Sequence, residues 1–255
     1  MPRVPRDHTT DLASQALSST VLVTGGSRGI GRAICLAFGE AGWRVGVHYR
    51  ERKQEADQTA DAITRSGGQA DLYQADIRYC HQVEAMVQDC VARWDRLDVL
   101  VANAGISSSR LLLRLGCAEW NSIIESNLTG TFHCVKAAGA QMVARRGGSI
   151  VVVGSFAALQ GRAGQAAYAA SKAGLLGLVK TAAREWGHEN VRINAVLPGW
   201  HRTEMTDAVQ EDDMLVEQSL KRSSNLSAVA KTIYHLATLN DVSGQVWNLD
   251  SRILY

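Results

Sequence analysis

The sequence predicts an α/β fold: a single doubly wound parallel sheet of about seven strands, flanked by helices. Two observations predict it. From Thr20 onward, short apolar runs alternate with longer segments of helical periodicity, the order expected of βαβ units. Several of the short runs, "TVLV" and "SIVVV" among them, are apolar along their whole length, as strands covered on both faces are.

The strand segments in chain order are "TVLVTG", "RVGVHY", "QADLYQA", "DVLVANAG", "GSIVVVGS", "RINAVLPG" and "GQVWNLD". Helical periodicity between them predicts helices over Gly31–Glu40, Lys53–Arg65, Gln82–Trp94, Glu119–Ala144, Gln165–His188 and Ser227–Thr238. Residues 20–255 therefore read as one domain, without repeat, low-complexity tract or linker. Residues 1–19 read as a loose polar extension, because Asp7 and Asp11 and the lack of an apolar stretch fit neither a secretory nor a transit signal. Trp200–Asn225 interrupts the alternation with polar sequence, and reads either as a mobile flap or as a solvated loop and helix.

Composition narrows the function classes. The chain has 255 residues, 46% hydrophobic and 20% charged, which is enough for a full core. Its formal net charge is +2 with the basic residues scattered, so no polyanion footprint stands out and nucleic acid is not an expected partner. No apolar run approaches the roughly 20 residues that span a bilayer, so no membrane is expected. The five cysteines are widely spaced and the seven histidines dispersed, which predicts reduced, mostly buried thiols of a cytoplasmic protein and no metal site.

The first strand runs directly into "TGGSRGIG" (Thr24–Gly31) and then into a helix. Glycines there permit a tight turn and close approach of backbone to a pyrophosphate, which the helix N-terminus then attracts. The spacing predicts a dinucleotide held by Gly25, Ser27, Arg28, Gly29, Ile30 and Gly31. After the third strand, Asp76 is placed to accept from an adenine amino group and Ile77 to pack on the ring. After the fourth, Asn103, Ala104 and Gly105 lie where backbone follows the cofactor ribose, since ligands of open α/β sheets bind outside the carboxyl ends of the strands. The second strand ends in "VHYRER". Tyr49 stands where an acid would take an NAD ribose hydroxyl, and Arg50 follows. Arg50 and Arg28 together suit a 2′-phosphate, which favours NADP(H). The bland alternative is a surface pair between Arg50 and Glu51.

Tyr168 and Lys172 in "YAASK" are i, i+4 neighbours on one helix face. An ammonium about 4 Å from a phenolate is worth roughly 4 kcal/mol at an effective dielectric near 20, or about three pKa units before desolvation opposes it. A lysine so placed is expected to bring tyrosine into the range of general acid catalysis. Ser155, at the end of the fifth strand, can hold a carbonyl oxygen. Asn127 lies among apolar residues in "IIESNLTGTF", and either opens its helix for a proton-relaying water or satisfies a buried backbone group.

Taken together, "TGGSRGIG", "ADI", "NAGI", Asn127, Ser155, "YAASK" and "PGWHRTEM" resemble the short-chain dehydrogenase/reductase family over Thr20 to Leu254. The resemblance implies a Rossmann fold and a catalytic tetrad of Asn127, Ser155, Tyr168 and Lys172. It also implies a nicotinamide pocket closed by Pro198, Gly199 and Thr203, with Tyr168 and Lys172 touching the cofactor. Within the family the chain looks most like the 3-oxoacyl-(acyl carrier protein) reductases, which are tetramers that reduce a thioester-bound ketone with NADPH in fatty acid biosynthesis. That likeness implies a homotetramer and a carrier docked beside the active-site mouth, with Arg145 and Arg146 matching one basic patch. Besides Ala102, which stands where an asparagine is usual, the chain departs from the pattern in three places. Glu189 stands where a second basic residue is usual, "LKRSSNLSAVA" replaces the usual end of the flap, and "WNLDSRILY" replaces an aspartate followed by two glycines. A reductase of another ketone, or a non-catalytic cofactor-binding subunit, are the other readings.

Overall fold

The computed structural model describes residues 19–201 and 215–253. The expected N-terminal extension, up to residue 18, and Thr203 lie outside the described residues. The elements are β1 (Thr20–Val23), α1 (Gly29–Glu40), β2 (Arg44–Tyr49), α2 (Lys53–Arg65), β3 (Gln69–Gln74), α3 (Cys80–Trp94), β4 (Val99–Ala102), α4 (Cys117–Ile124), α5 (Gly130–Ala144), β5 (Gly148–Val153), α6 (Ala166–Trp186), β6 (Val191–Leu197), α7 (Leu226–Thr238) and β7 (Val246–Asn248). The strands form one seven-stranded sheet in the order β3-β2-β1-β4-β5-β6-β7, parallel throughout. This is the doubly wound Rossmann arrangement, and its order reverses between β1 and β4.

Residue alternation along each strand divides the core in two. Leu22, Leu100, Ile150 and Ile193 point to one face and pack with α3, α5 and α6 through Met86, Val135 and Leu175. Val21, Val23, Val101 and Val151 point to the other and pack with α1, α2 and α7 through Ile34, Phe38, Ile63 and Ile233. On that second face Phe38 meets Trp43 and Tyr234 edge-on at 5.1 and 5.0 Å, an arrangement that aromatic quadrupoles favour.

The fourth predicted helix, Glu119–Ala144, is not one regular helix. It consists of α4, a π-helical turn over Glu125–Thr129, and α5. The five cysteines are free; Cys35, Cys90 and Cys134 are buried, and Cys117 is exposed. Among the described residues no helix is long and apolar enough to cross a membrane, and no group of three metal-ligating side chains comes together.

Candidate active site

The site builds up from the carboxyl ends of the strands. After β1 the chain turns through Gly25, at φ +67°, and Gly29, at φ +54°. A Cβ on Gly31 would lie 2.1 Å from the Gly25 carbonyl oxygen, so only glycine lets the first turn of α1 close against this loop. The α1 N-terminus has no side-chain cap and no acid in its first turn. Its free N–H groups thus face outward at the positive end of the helix dipole, the environment that binds phosphate.

Two clamps hold the loop in this shape. Asn103 donates through Nδ2 to the Thr24 carbonyl at 2.9 Å, and the Asn103 and Ala104 N–H groups donate to Thr24 Oγ1 at 2.9 and 3.0 Å. That ties the loop after β4 to the loop after β1. On the other side is a residue that sequence reasoning passed over, His48 of β2. It is buried, its Nδ1 accepts from the Gly25 N–H at 2.9 Å, and its Nε2 lies 3.0 Å from the Ala75 carbonyl. Those partners fix the tautomer with the proton on Nε2, so His48 bridges the phosphate loop and the residue before Asp76. Burial lowers its pKa to about 4, which keeps the ring neutral and Nδ1 an acceptor. A histidine within an apolar strand carries no motif; only the register that sets it under the glycine loop exposes its role.

Asp76 lies at the mouth after β3, and its carboxylate grips Arg78, with Nε 3.0 Å from Oδ1 and Nη2 2.5 Å from Oδ2. Hydrogen bonding to Arg78 holds the carboxyl below its ordinary range. Ile77 is turned inward and buried, packed where a Cβ on Gly130 would meet it at 2.7 Å. Arg50 pairs with Glu51 at 2.9 Å, but both side chains are largely exposed, so the pair is worth at most about 1 kcal/mol and leaves the guanidinium available to a stronger anion. No acid ends β2, and the Tyr49 side chain there is buried.

On the other side of the switch point, the structure brings the predicted tetrad together. The π turn carries Asn127 inward, fully buried, where its Oδ1 accepts from the Ile106 N–H at 2.8 Å. Its Nδ2 donates to the Ile106 carbonyl at 2.9 Å and to Ser171 Oγ at 3.1 Å. Of the two expected roles, the contact with a buried backbone group is the one these bonds make. The helix opens at Asn127, while its side chain braces the backbone after Gly105. Ser171 in turn donates to the Tyr168 carbonyl at 2.7 Å. Gly105 is closely approached here: a Cβ on it would sit 3.0 Å from Asn127 Oδ1 and 3.8 Å from Lys172 Nζ.

Tyr168 and Lys172 share the inner face of α6, with Nζ 5.8 Å from the centre of the phenol ring. Tyr168 is hydrogen-bonded to Ser155. The electrostatics differ from the sequence expectation. Burial raises the Tyr168 pKa, and the bond to Ser155 is what works against it. Lys172 donates to the Val153 carbonyl at 2.8 Å, and burial pushes its own pKa down to about 8. Desolvation dominates at both groups, and the amine is aimed at a carbonyl.

Pro198 and Gly199 follow β6 at the same edge, with Gly199 at φ +87° against the Asp250 side chain. The described end of the polar segment after Trp200 is fastened: Ser219 N–H donates to the Ser251 carbonyl at 3.1 Å, and Leu220 N–H to Ser251 Oγ at 3.2 Å. Arg145 and Arg146 are elsewhere. They end α5 just before β5 begins, at the amino edge of the sheet, whereas Ser155 follows the end of that six-residue strand, roughly 20 Å away at about 3.3 Å per residue. Arg145 donates to the Asp95 carbonyl at 2.6 Å, and Arg146 pairs with Glu189 at 3.3 Å. The expected basic patch is therefore remote from the mouth of this chain's own site.

A parallel sheet with a glycine-rich phosphate cradle on one side of its switch point and a Ser, Tyr and Lys cluster on the other defines a nucleotide-dependent oxidoreductase scaffold. The model of the short chain dehydrogenase family matches residues 19–214, and the chain belongs to that family, whose members work with a nicotinamide cofactor.

Among its relatives is the 3-oxoacyl-[acyl-carrier-protein] reductase FabG of Staphylococcus aureus, 39% identical over 225 residues that cover 87% of this chain and 92% of the relative. The 3-oxoacyl-[acyl-carrier-protein] reductase of Synechocystis is 39% identical over 243 residues, covering 94% and 98%. A solved structure from Sinorhizobium meliloti 1021, of a protein assigned as a short-chain alcohol dehydrogenase, superposes with a TM-score of 0.86 at 32% identity, over 91% of this chain and 95% of that one.

Proposed function

We propose that the protein reduces the ketone of a 3-oxoacyl thioester to the 3-hydroxyacyl form with NADPH, as a cytoplasmic homotetramer. The observation that carries the reading is the convergence of Ser155, Tyr168 and Lys172 at the carboxyl edge, beside a phosphate cradle whose neighbouring strand end offers Arg50 in place of an acid. The residues fit a dinucleotide: the uncapped α1 N-terminus and Gly25, Ser27, Arg28, Gly29, Ile30 and Gly31 would hold the pyrophosphate. Arg50 with Arg28 would take the 2′-phosphate, Asp76 and Ile77 the adenine side, and Asn103, Ala104, Gly105, Pro198, Gly199 and Thr203 the nicotinamide half. When bound, the reduced nicotinamide supplies the hydride for the carbonyl carbon.

The chain's own residues supply the rest. Ser155 Oγ holds the substrate carbonyl oxygen and orients it toward Tyr168. The Tyr168 hydroxyl, kept protonated by burial, donates its proton to that oxygen as negative charge develops on it. Lys172, protonated below about pH 8, stabilises the phenolate left behind and holds the ribose hydroxyls through Nζ. Asn127 holds the backbone at Ile106 and, through Ser171, the start of the Tyr168 turn, so that the proton path back to Tyr168 runs along a fixed wall.

One observation favours a narrower variant, reduction of a ketone carried on coenzyme A or on no carrier. Arg146 is engaged by Glu189 and, with Arg145, sits at the amino edge, so those two residues offer no docking patch beside the mouth. The test is to follow NADPH consumption with acetoacetyl-CoA, with the acyl-carrier thioester and with a panel of simple ketones. Turnover of either thioester is expected, and turnover confined to simple ketones moves the substrate class. Tight NADPH binding with no turnover of any of them rejects the reductase reading.

A further inference from the structure

The family resemblance leads one to expect an aspartate followed by two glycines near the C-terminus; here the aspartate is Asp250, and Ser251 and Arg252 follow it. The structure shows what those two residues build. Asp250 and Arg252 form a buried ion pair, with side chains 0% and 7% exposed and Oδ2 lying 2.5 Å from Nη2 and 2.7 Å from Nε. Asp250 Oδ1 also accepts from the Arg252 N–H at 2.9 Å, and Asn248 Nδ2 donates to the Arg252 carbonyl at 2.7 Å, so the turn is closed at both ends.

Each residue then reaches a different loop of the site. The Arg252 guanidinium lies 3.9 Å from the centre of the Phe156 ring, a close cation–π stack, and Phe156 is the residue after Ser155. Asp250 abuts Gly199, where an added Cβ would meet its side chain at 2.8 Å. Ser251 binds the chain at Ser219 and Leu220. A planar guanidinium held by a carboxylate along one edge and lying on an aromatic ring has a fixed orientation that a lysine ammonium does not reproduce.

We propose that Arg252 is a positioning residue. Acting through Phe156 it sets the turn that aims Ser155, and through Asp250 it sets the Pro198–Gly199 turn on the nicotinamide side. The donor of the hydride and the holder of the carbonyl oxygen are thereby brought into register by the C-terminal turn. The proposal rests on the reductase reading above. A misplacement of about 1 Å can cost as much as a hundredfold in rate, so the effect belongs on kcat more than on binding.

The test is a double-mutant cycle of Arg252→Lys and Phe156→Leu on the full chain, assayed with NADPH and whichever ketone the wild type reduces. Each single variant is expected to lower kcat about tenfold with the NADPH dissociation constant within about threefold, and to raise the primary isotope effect from NADPH deuterated at the transferred position. The two effects are expected to be clearly less than additive, because both break one contact. A purely structural pair would shift the melting temperature and leave the isotope effect unchanged well below it.

Wild-type kcat and isotope effect in folded Arg252→Lys, or full additivity in the cycle, overturns the proposal. If Arg252→Lys does not fold, Phe156→Leu decides alone, and a kcat within twofold of wild type overturns the proposal. If the wild type reduces no ketone, it is the reductase reading that fails. The positioning claim is then read from a crystal structure of Arg252→Lys, where an unmoved Ser155–Tyr168 hydrogen bond overturns it.

Discussion

The two edges of the sheet treat charge in opposite ways. At the amino edge ionic groups stay near water and find partners close by. Arg96 holds Asp98 with Nε 2.9 Å from Oδ1, Asp98 accepts from the Thr20 N–H at 2.8 Å, and Arg146 meets Glu189 at 3.3 Å. Such pairs each contribute about 0–1 kcal/mol and fasten strand starts. At the carboxyl edge three titratable groups are buried and displaced from their ordinary pKa: Tyr168 is raised, Lys172 lowered to about 8 and His48 lowered to about 4. Stability is given up at this edge, which is the mark of a site held for chemistry.

The largest expected effect is at the phenol. Tyr168→Phe should lower turnover about a thousandfold while NADPH binding, read by the fluorescence of the bound nucleotide, stays within a few-fold; near-normal turnover would remove its role as the acid. Next comes the exposed guanidinium beside the cradle. Arg50→Asp should weaken NADPH about a hundredfold and leave NADH nearly unchanged, since the loss is one charge-assisted phosphate contact plus a new repulsion. An unchanged preference assigns the 2′-phosphate to other residues.

Lys172 sharpens the comparison between edges, because activity and stability should move apart. Its folded pKa of about 8 lies below the ordinary 10.5, so the unfolded chain holds more protons between those values and stability from this group rises with pH across that window. Below about pH 8 the whole penalty, on the order of 3 kcal/mol, is present. Lys172→Met should therefore abolish turnover and yet raise the urea midpoint at pH 7; a lower midpoint would mean that its bond to the Val153 carbonyl outweighs desolvation.

His48 gives a slope of the same sign in a lower window. Its contribution is complete above its ordinary value of 6.5 and is lost as pH falls toward about 4, because the unfolded chain takes the proton first. About 2 kcal/mol of the stability lost between pH 7 and pH 5 should vanish in His48→Asn, as denaturant titrations at the two pH values would show. Smallest is the amino edge, where Arg146→Ala should leave turnover of acetoacetyl-CoA within twofold.

What the sequence disclosed depended on how local each feature was. Lys53–Arg65 reads directly as a helix because its pattern is complete within itself, and it is observed with those bounds. "TGGSRGIG" and "YAASK" are likewise self-contained. The π turn was hidden inside a long periodic segment, since one extra residue in a turn hardly alters the apolar spacing. His48 and Arg252 were illegible for a stronger reason. One acquires its role from strand register, the other from the arrival of the chain end beside Phe156. The same limit explains Arg145 and Arg146, whose basic character is plain in sequence but whose edge of the sheet is decided by topology.

The π turn has a consequence for how the α4–α5 rod works. One extra residue in a helix offsets everything beyond it by about 100° around the axis. Before the turn α4 leans on α6, and after it α5 lies on the sheet and α3. The wide turn is thus a change of phase that lets one continuous rod serve two differently oriented partners, with Asn127 at the point where the phase slips. Shortening Glu125–Thr129 by a single residue would restore an even pitch and force one of those two seatings to rotate away, however well each half was packed on its own.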